Sequence, residues 1–353
     1  KAGIRFLKAN DAKMAGDANK IISIGTSAGG AMSALLASTG NAKDYDSYLR
    51  EIGAVMDQSD DVYAAQAYCP ITDLDHADQA YEWMYQNLQT YNNSRSGENG
   101  ESTDFEKAVS KQMASGYVDY INSLKLVDTK TGEPLTLGED GRSGRFYQYM
   151  VQKVEDAATV YLNKLSEGSL DVPYTLNDCL SWDGSSAKIT SLDDYLADYN
   201  PRMKSVMAFD NLEMNEKSGE NLEFGDETHQ YLHFDSYMPD VLEKLKTDYP
   251  EEYSKYAEGY DAVIGDKALA ERKKLLNPLN YIGSDSVDTA EHIRIRVGTQ
   301  DADTALSVSA VLALSLENKT DADVDYALVW NQGHGNADYD GELLQWIDKI
   351  CKE

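Results

Sequence analysis

Residues 20–36 read Lys-Ile-Ile-Ser-Ile-Gly-Thr-Ser-Ala-Gly-Gly-Ala-Met-Ser-Ala-Leu-Leu, and no other stretch limits the fold as tightly. An apolar run ends in Gly25-Thr26-Ser27-Ala28-Gly29, and a helical pattern with Ala31, Leu35 and Leu36 on one side follows. This is the spelling of a nucleophile elbow, in which a serine sits on a sharp turn between strand and helix. Glycine is needed at both ends, because side chains at 25 and 29 would collide across a turn whose serine is held in a sparsely populated conformation. The serine hydroxyl then projects at the head of a helix, where unpaired N–H groups and the helix dipole favour developing negative charge. The N–H of Ala28 is the expected oxyanion donor. A Gly-x-Ser-x-Gly match arises by chance often enough that the strand before it and the helix after it are what give it weight.

The remaining chain shows what surrounds that turn. Residues 1–11 read as a helix packing through Ile4 and Leu7, and the helix after Ser27 ends near Gly40-Asn41. Val62–Tyr68 is a second strand, running into Cys69-Pro70-Ile-Thr-Asp-Leu-Asp75. Strand, helix and strand at this spacing predict a right-handed crossover in a parallel sheet. From His76 to Asn277 helical patterns dominate: Phe105, Val109, Met113, Tyr117, Ile121 and Leu124 recur at three or four. Ser94–Ser102 and Gly138–Gly144 read as loops. The sheet resumes at His292–Val297, and Gly298-Thr-Gln-Asp-Ala-Asp303 follows. After a helix with Leu306, Val311, Leu312 and Leu316, a last strand at Val324–Trp330 leads to Asn331-Gln-Gly-His-Gly335 and a closing helix. The class is α/β, mainly parallel: residues 1–75 and 278–353 form the core, and 76–277 a helical cap or lid inserted into it.

Composition narrows the function. A formal charge of −29 lacks the basic footprint that nucleic acid or anionic membranes require. No run approaches the ~20 apolar residues that cross a bilayer. Three cysteines, Cys69, Cys179 and Cys351, form no CxxC pair and suit neither a disulfide framework nor a zinc cluster. Cys69 reads as a buried small hydrophobe. Asp128-Thr-Lys-Thr-Gly132 carries Lys130 where a calcium ligand would be needed. His229 and His233 have metal-pair spacing but no HExxH glutamate, so neither metal nor cofactor is expected. No signal peptide is visible, the cytoplasm is favoured over secretion, and no oligomeric state is implied.

Acyl transfer by serine needs a base within hydrogen-bond reach and an acid to orient it. Ser27, Asp301 and His334 each follow a predicted strand, in the order Ser, Asp, His that α/β-hydrolases use. Gly333 and Gly335 flank His334 and let the ring lean over the sheet edge. For the acid, Asp301 comes first after its strand, Asp303 second, and Asp73 and Asp75 are outside alternatives.

Three segments carry a family likeness: Gly25-Thr-Ser-Ala-Gly-Gly30, Tyr68-Cys-Pro-Ile-Thr-Asp-Leu-Asp-His-Ala77, and Gly298-Thr-Gln-Asp-Ala-Asp303. With Trp330, His334-Gly335 and the long helical insertion, the chain resembles the bacterial tannase (tannin acyl hydrolase) group of serine esterases over essentially its whole length. The resemblance implies an α/β-hydrolase fold and hydrolysis of esters of hydroxylated aromatic acids, galloyl esters above all, through an acyl-enzyme. It implies Ser27, Asp301 and His334 as nucleophile, acid and base, and Asp303 as a ligand of the galloyl hydroxyls. Lys204 and Glu220 match the lysine and glutamate that complete that grip, with Glu223 an alternative to Glu220. The expected partner is a small aromatic ester. A broader carboxylesterase, a feruloyl or acetyl esterase, or a catalytically inactive binding protein are the other readings. Only about twenty residues precede Ile21, whereas the family fold has several strands before its nucleophile strand. The early strands and the second oxyanion donor are therefore expected to be missing from this chain, and the residues alone to be aggregation-prone.

Overall fold

The computed structural model describes residues 1–214 and 219–352. In chain order the first elements are α1 (Ala2–Ala9), β1 (Ile22–Thr26), α2 (Ala28–Ser38), α3 (Asp46–Glu51) and β2 (Ala64–Tyr68). Then come α4 (Leu74–Tyr85), β3 (Thr90–Asn93), β4 (Glu98–Glu101), α5 (Asp104–Leu124), α6 (Arg145–Ser166), β5 (Leu180–Trp182), β6 (Ala187–Ile189) and α7 (Leu192–Asp198). The last are α8 (Gly219–Glu223), α9 (Met238–Leu245), α10 (Pro250–Asp261), α11 (Lys267–Leu276), β7 (His292–Gly298), α12 (Leu306–Lys319), β8 (Asp323–Val329) and α13 (Glu342–Ile350). They fall into two compact units: Lys1–Thr72 with Leu275–Thr299 and Ser309–Glu353, and Asp73–Lys274 with Gln300–Val308.

The first unit is built on a parallel sheet of order β1-β2-β7-β8. Every residue of β2 and β7 is buried, so neither strand shows the alternation of a half-exposed sheet. Small residues on α2 (Gly30, Ser33, Ala34 and Ala37) are buried where that helix packs on β1 and β2. Trp346 and Ile350 of α13 pack on Ala64, with Ile22 and Tyr63 beside them. Two arginines inside β7 keep their charge through ion pairs: Arg296 with Asp325, and Arg294, only 1% exposed, with Asp338.

The second unit is mainly helical. The expected stripe on α5 is present: Phe105, Val109, Met113, Tyr117 and Ile121 are buried, and Leu124 is half-buried. A capping box of Thr103 and Glu106 starts that helix, and Lys125 ends it in a left-handed conformation. Phe105, Val109 and Met113 share a core with Val241, Leu242 and Tyr260. Two antiparallel hairpins, β3–β4 and β5–β6, interrupt the helices. The polar run 94–102, read as a loop, is the turn and return strand of the first. Its residues alternate too weakly in hydrophobicity for a strand to be legible.

Polar groups inside this unit are organised around Asp210. Its carboxylate accepts from Asn221 Nδ2 (2.7 Å), His233 Nδ1 (2.6 Å) and the N–H groups of Phe234 and Asp235 (2.7 Å each). Asp78 and Asp235 are likewise fully buried. Burial, then the charge of Asp235, raises the Asp78 carboxyl well above its ordinary range. Burial, then the charge of Asp210, pushes Asp235 up to about 7, against its own backbone hydrogen bonds and His76. Both groups hold protons more tightly folded than unfolded. The contribution of Asp235 to stability is therefore complete below the unfolded carboxyl range and is lost as pH rises through about 7, and that of Asp78 has the same sign. Asp235→Asn should flatten the stability profile between about pH 5 and 7. Denaturant unfolding of both proteins across that range checks it, and parallel profiles would count against the assignment.

Candidate active site

Ser27 links β1 to α2 with φ 60° and ψ −122°, a backbone region that a non-glycine residue occupies only when its surroundings force it. Its N–H donates to the carbonyl of Tyr68 at the end of β2 (3.0 Å), and its carbonyl accepts from Ala31 N–H (2.9 Å). A Cβ on Gly25 would be driven into the Gly29 carbonyl, so the turn closes only with glycine there. Ala28 is the first residue of α2, where backbone N–H groups have no partner in a preceding turn.

Ser27 Oγ lies 2.8 Å from His334 Nε2, within hydrogen-bond distance. His334 sits on the segment after β8, and that segment is tied down along its length. The Asn331 N–H donates to Thr299 Oγ1 (3.2 Å), and Thr26 Oγ1 hydrogen-bonds Asn336 Oδ1. Gly298 lies beneath it: a Cβ there would meet the carbonyl oxygens of Gln332 and Gly333. Asp338 is the strongest tie. It accepts from Arg294 (2.7 and 3.0 Å) and from the Tyr68 hydroxyl (2.7 Å). Burial alone would raise the Asp338 carboxyl, but the bonds from Arg294 and Tyr68 outweigh it and hold the carboxyl low. Neither Arg294 nor Asp338 stood out in the sequence. An arginine inside a strand that otherwise reads as buried was the available signal, since such a charge needs a partner.

Cys69, the residue after β2, is fully buried with φ 37°, and its Sγ is 4.0 Å from His334 Nε2. It is buried as the sequence implies, and in addition it stands beside the imidazole.

The acidic pair belongs to the second unit. Asp301 is fully buried; its Oδ1 accepts from the Asp303 N–H (3.0 Å), and its carbonyl accepts from Asn200 Nδ2 (3.3 Å). Asp303 pairs with Arg95, which lies between β3 and β4 and was not singled out from the sequence. Lys204 is half-buried, its Nζ 4.1 Å from the centre of the Phe209 ring, and its N–H donates to Tyr81 Oη (3.0 Å). Glu220 is in the first turn of α8, and Glu223 closes that helix.

The remaining candidates have other partners. Asp73 accepts from Tyr120 (2.5 Å) and lies 3.0 Å from His76 Nδ1, and Asp75 pairs with Lys273 (2.9 Å). His229 is exposed beside Asp226, whereas His233 is buried and stacked on Tyr260. Among the described residues no helix is long and apolar enough to cross a membrane.

Comparison with known proteins extends these observations. A family model described as BD-FAE matches residues 1–123. No curated protein sequence matches the chain. Among solved structures, native tannin acyl hydrolase from Lactobacillus plantarum is 35% identical with a TM-score of 0.83, over 99% of this chain and 70% of its own. Fusobacterium nucleatum tannase is 39% identical with a TM-score of 0.81, over 99% of this chain and 71% of its own. A tannin acyl hydrolase in complex with ethyl gallate gives 35% and 0.82, over 99% and 69%.

The ties on the His334 segment can be tested by removing one. Asp338→Ala leaves Arg294 buried with weakened pairing, which should lower unfolding free energy by about 3 kcal/mol and speed amide exchange over residues 331–341. Denaturant unfolding and hydrogen exchange measure both. Unchanged exchange would mean the segment is held without Asp338.

Proposed function

We propose, from the premise that the chain belongs to the bacterial tannase (tannin acyl hydrolase) family of ester hydrolases and has the α/β-hydrolase fold, that it hydrolyses galloyl esters through a covalent acyl-enzyme on Ser27. The observation that carries the mechanism is the 2.8 Å approach of His334 Nε2 to Ser27 Oγ at a turn built to expose that hydroxyl. His334 takes the Ser27 proton as Oγ attacks the ester carbonyl. The tetrahedral oxyanion is met by the Ala28 N–H at the head of α2, and donors of this kind are each worth roughly 10²–10³ in kcat. His334 then gives its proton to the departing alcohol. A water activated by the same ring hydrolyses the acyl-enzyme and restores Ser27.

Asp301 is assigned the role of orienting His334, because it is the first acidic residue after β7 and is fully buried. Asp303, Lys204 and Glu220 are assigned to the vicinal hydroxyls of the acyl group, which both donate and accept. The solved complex of a relative with ethyl gallate supports this substrate class. A site that pairs with those hydroxyls rejects an acyl group lacking them, because its own polar groups are then left unpaired.

Turnover of methyl gallate and of p-nitrophenyl acetate tests the proposal. Ser27→Ala should abolish the acylation burst while leaving the thermal transition in place, and turnover near that of the parent would rule out Ser27 as nucleophile. Asp303→Ala should cost about 2–4 kcal/mol in kcat/KM for the galloyl ester and little for the acetyl ester. Equal losses on both esters would place Asp303 with the catalytic groups, and a preference for the acetyl ester in the parent protein would make the enzyme a general carboxylesterase.

A further inference from the structure

Two nucleophilic side chains approach one imidazole nitrogen from the ends of adjacent strands. β1 and β2 pair in register with Thr26 opposite Tyr68, so Ser27 and Cys69 leave the sheet side by side. Both have positive φ, 60° and 37°, and both turn toward His334. Nε2 is 2.8 Å from Ser27 Oγ and 4.0 Å from Cys69 Sγ. The thiol lies 3.5 Å from the Gly335 carbonyl, to which it can donate. No step of ester hydrolysis uses this sulfur.

We propose that Cys69 Sγ and His334 Nε2 form a binding site for a thiophilic divalent cation such as Zn²⁺ or Cd²⁺, and that its occupation blocks the Ser27–His334 pair. A tetrahedral Zn²⁺ with bonds of about 2.3 Å to sulfur and about 2.0 Å to nitrogen sets the two ligand atoms about 3.5 Å apart. The observed 4.0 Å therefore has to close by only a few tenths of an ångström, within a small tilt of the ring. Thiolate and imidazole are the donors that select such ions over Mg²⁺ or Ca²⁺. On binding, the Cys69 thiol releases its proton to solvent and the sulfur takes the metal in its place, so affinity rises with pH. Water, or Ser27 Oγ, completes the coordination. The Nε2 lone pair used by the metal is the one that would accept the Ser27 proton, and it cannot serve both.

The blocking half of this proposal rests on His334 acting as the base in ester hydrolysis; the binding half does not. The test is a Cd²⁺ titration of the full chain, followed by ultraviolet thiolate-to-metal absorbance, with Zn²⁺ calorimetry and ester turnover on the same samples. One equivalent should bind to the parent, to Cys351→Ala and to Ser27→Ala, and be lost in Cys69→Ala. Zn²⁺ at saturation should slow the parent at least tenfold, while Cys69→Ala turns over as the parent does without metal and resists inhibition. If Cys69→Ala does not fold, Cys69→Ser preserves the side-chain shape and should lose the absorbance band. Cd²⁺ binding that survives both substitutions, or no saturable band in the parent, overturns the site. Binding that needs Cys69 yet leaves turnover untouched keeps the site and overturns the blocking, along with the role of His334 as base.

Discussion

The positive φ of Ser27 is the constraint on which the first unit depends. A left-handed backbone costs a non-glycine residue about 1–2 kcal/mol, and two backbone hydrogen bonds hold it there, one from β2 and one within α2. Gly25 lets the turn close, because a Cβ there would run into the Gly29 carbonyl, whereas a Cβ on Gly29, expected from the sequence to collide as well, would meet nothing within 4 Å. The same bond that holds Ser27, from its N–H to the Tyr68 carbonyl, fixes where β2 ends relative to β1. It thereby sets the position of Cys69. One strained residue therefore aligns two strand ends, and the imidazole meets both.

The imidazole itself arrives on an irregular segment, which has no ladder of its own to fix it. Rigidity comes instead from an ion pair inside the sheet. Arg294 is nearly fully buried in β7, and such a charge is tolerated only because Asp338, Gln66 and Tyr68 surround it with acceptors or share one. Asp338 is four residues past His334. Thus a charge that would be a liability in a parallel strand becomes the anchor of the segment carrying His334.

Much of this was legible in the sequence. The elbow announces itself because its geometry demands glycine at 25, and β2 because burial on both faces writes an apolar run. Ser27 and His334, singled out by the elbow and by their places after predicted strands, lie 2.8 Å apart. Arg95, Arg294 and Asp338 were not legible, because a charge pair between residues far apart in sequence leaves no periodic trace. The β3–β4 hairpin was missed for a related reason: its strands bury little, so hydrophobicity does not mark them. Cys69 is buried as its apolar surroundings imply. Its apolar surroundings were evident, whereas its left-handed backbone and the ring beside it come only from the fold.

The Arg95–Asp303 pair bears on how a polar acyl group would be chosen. Asp303 is mostly buried while the Arg95 side chain is 56% exposed. An ion pair with one partner this exposed is worth little, about 0–1 kcal/mol. Under the role proposed for Asp303, the guanidinium would yield to phenolic hydroxyls at small cost, and those hydroxyls would take over as donors to the carboxylate. An acyl group without hydroxyls offers no such exchange: it must either leave Arg95 in place or strip Asp303 of its partner. Under the role proposed for Asp303, discrimination would rest less on attraction to the right acyl group than on the penalty that a buried carboxylate imposes on the wrong one.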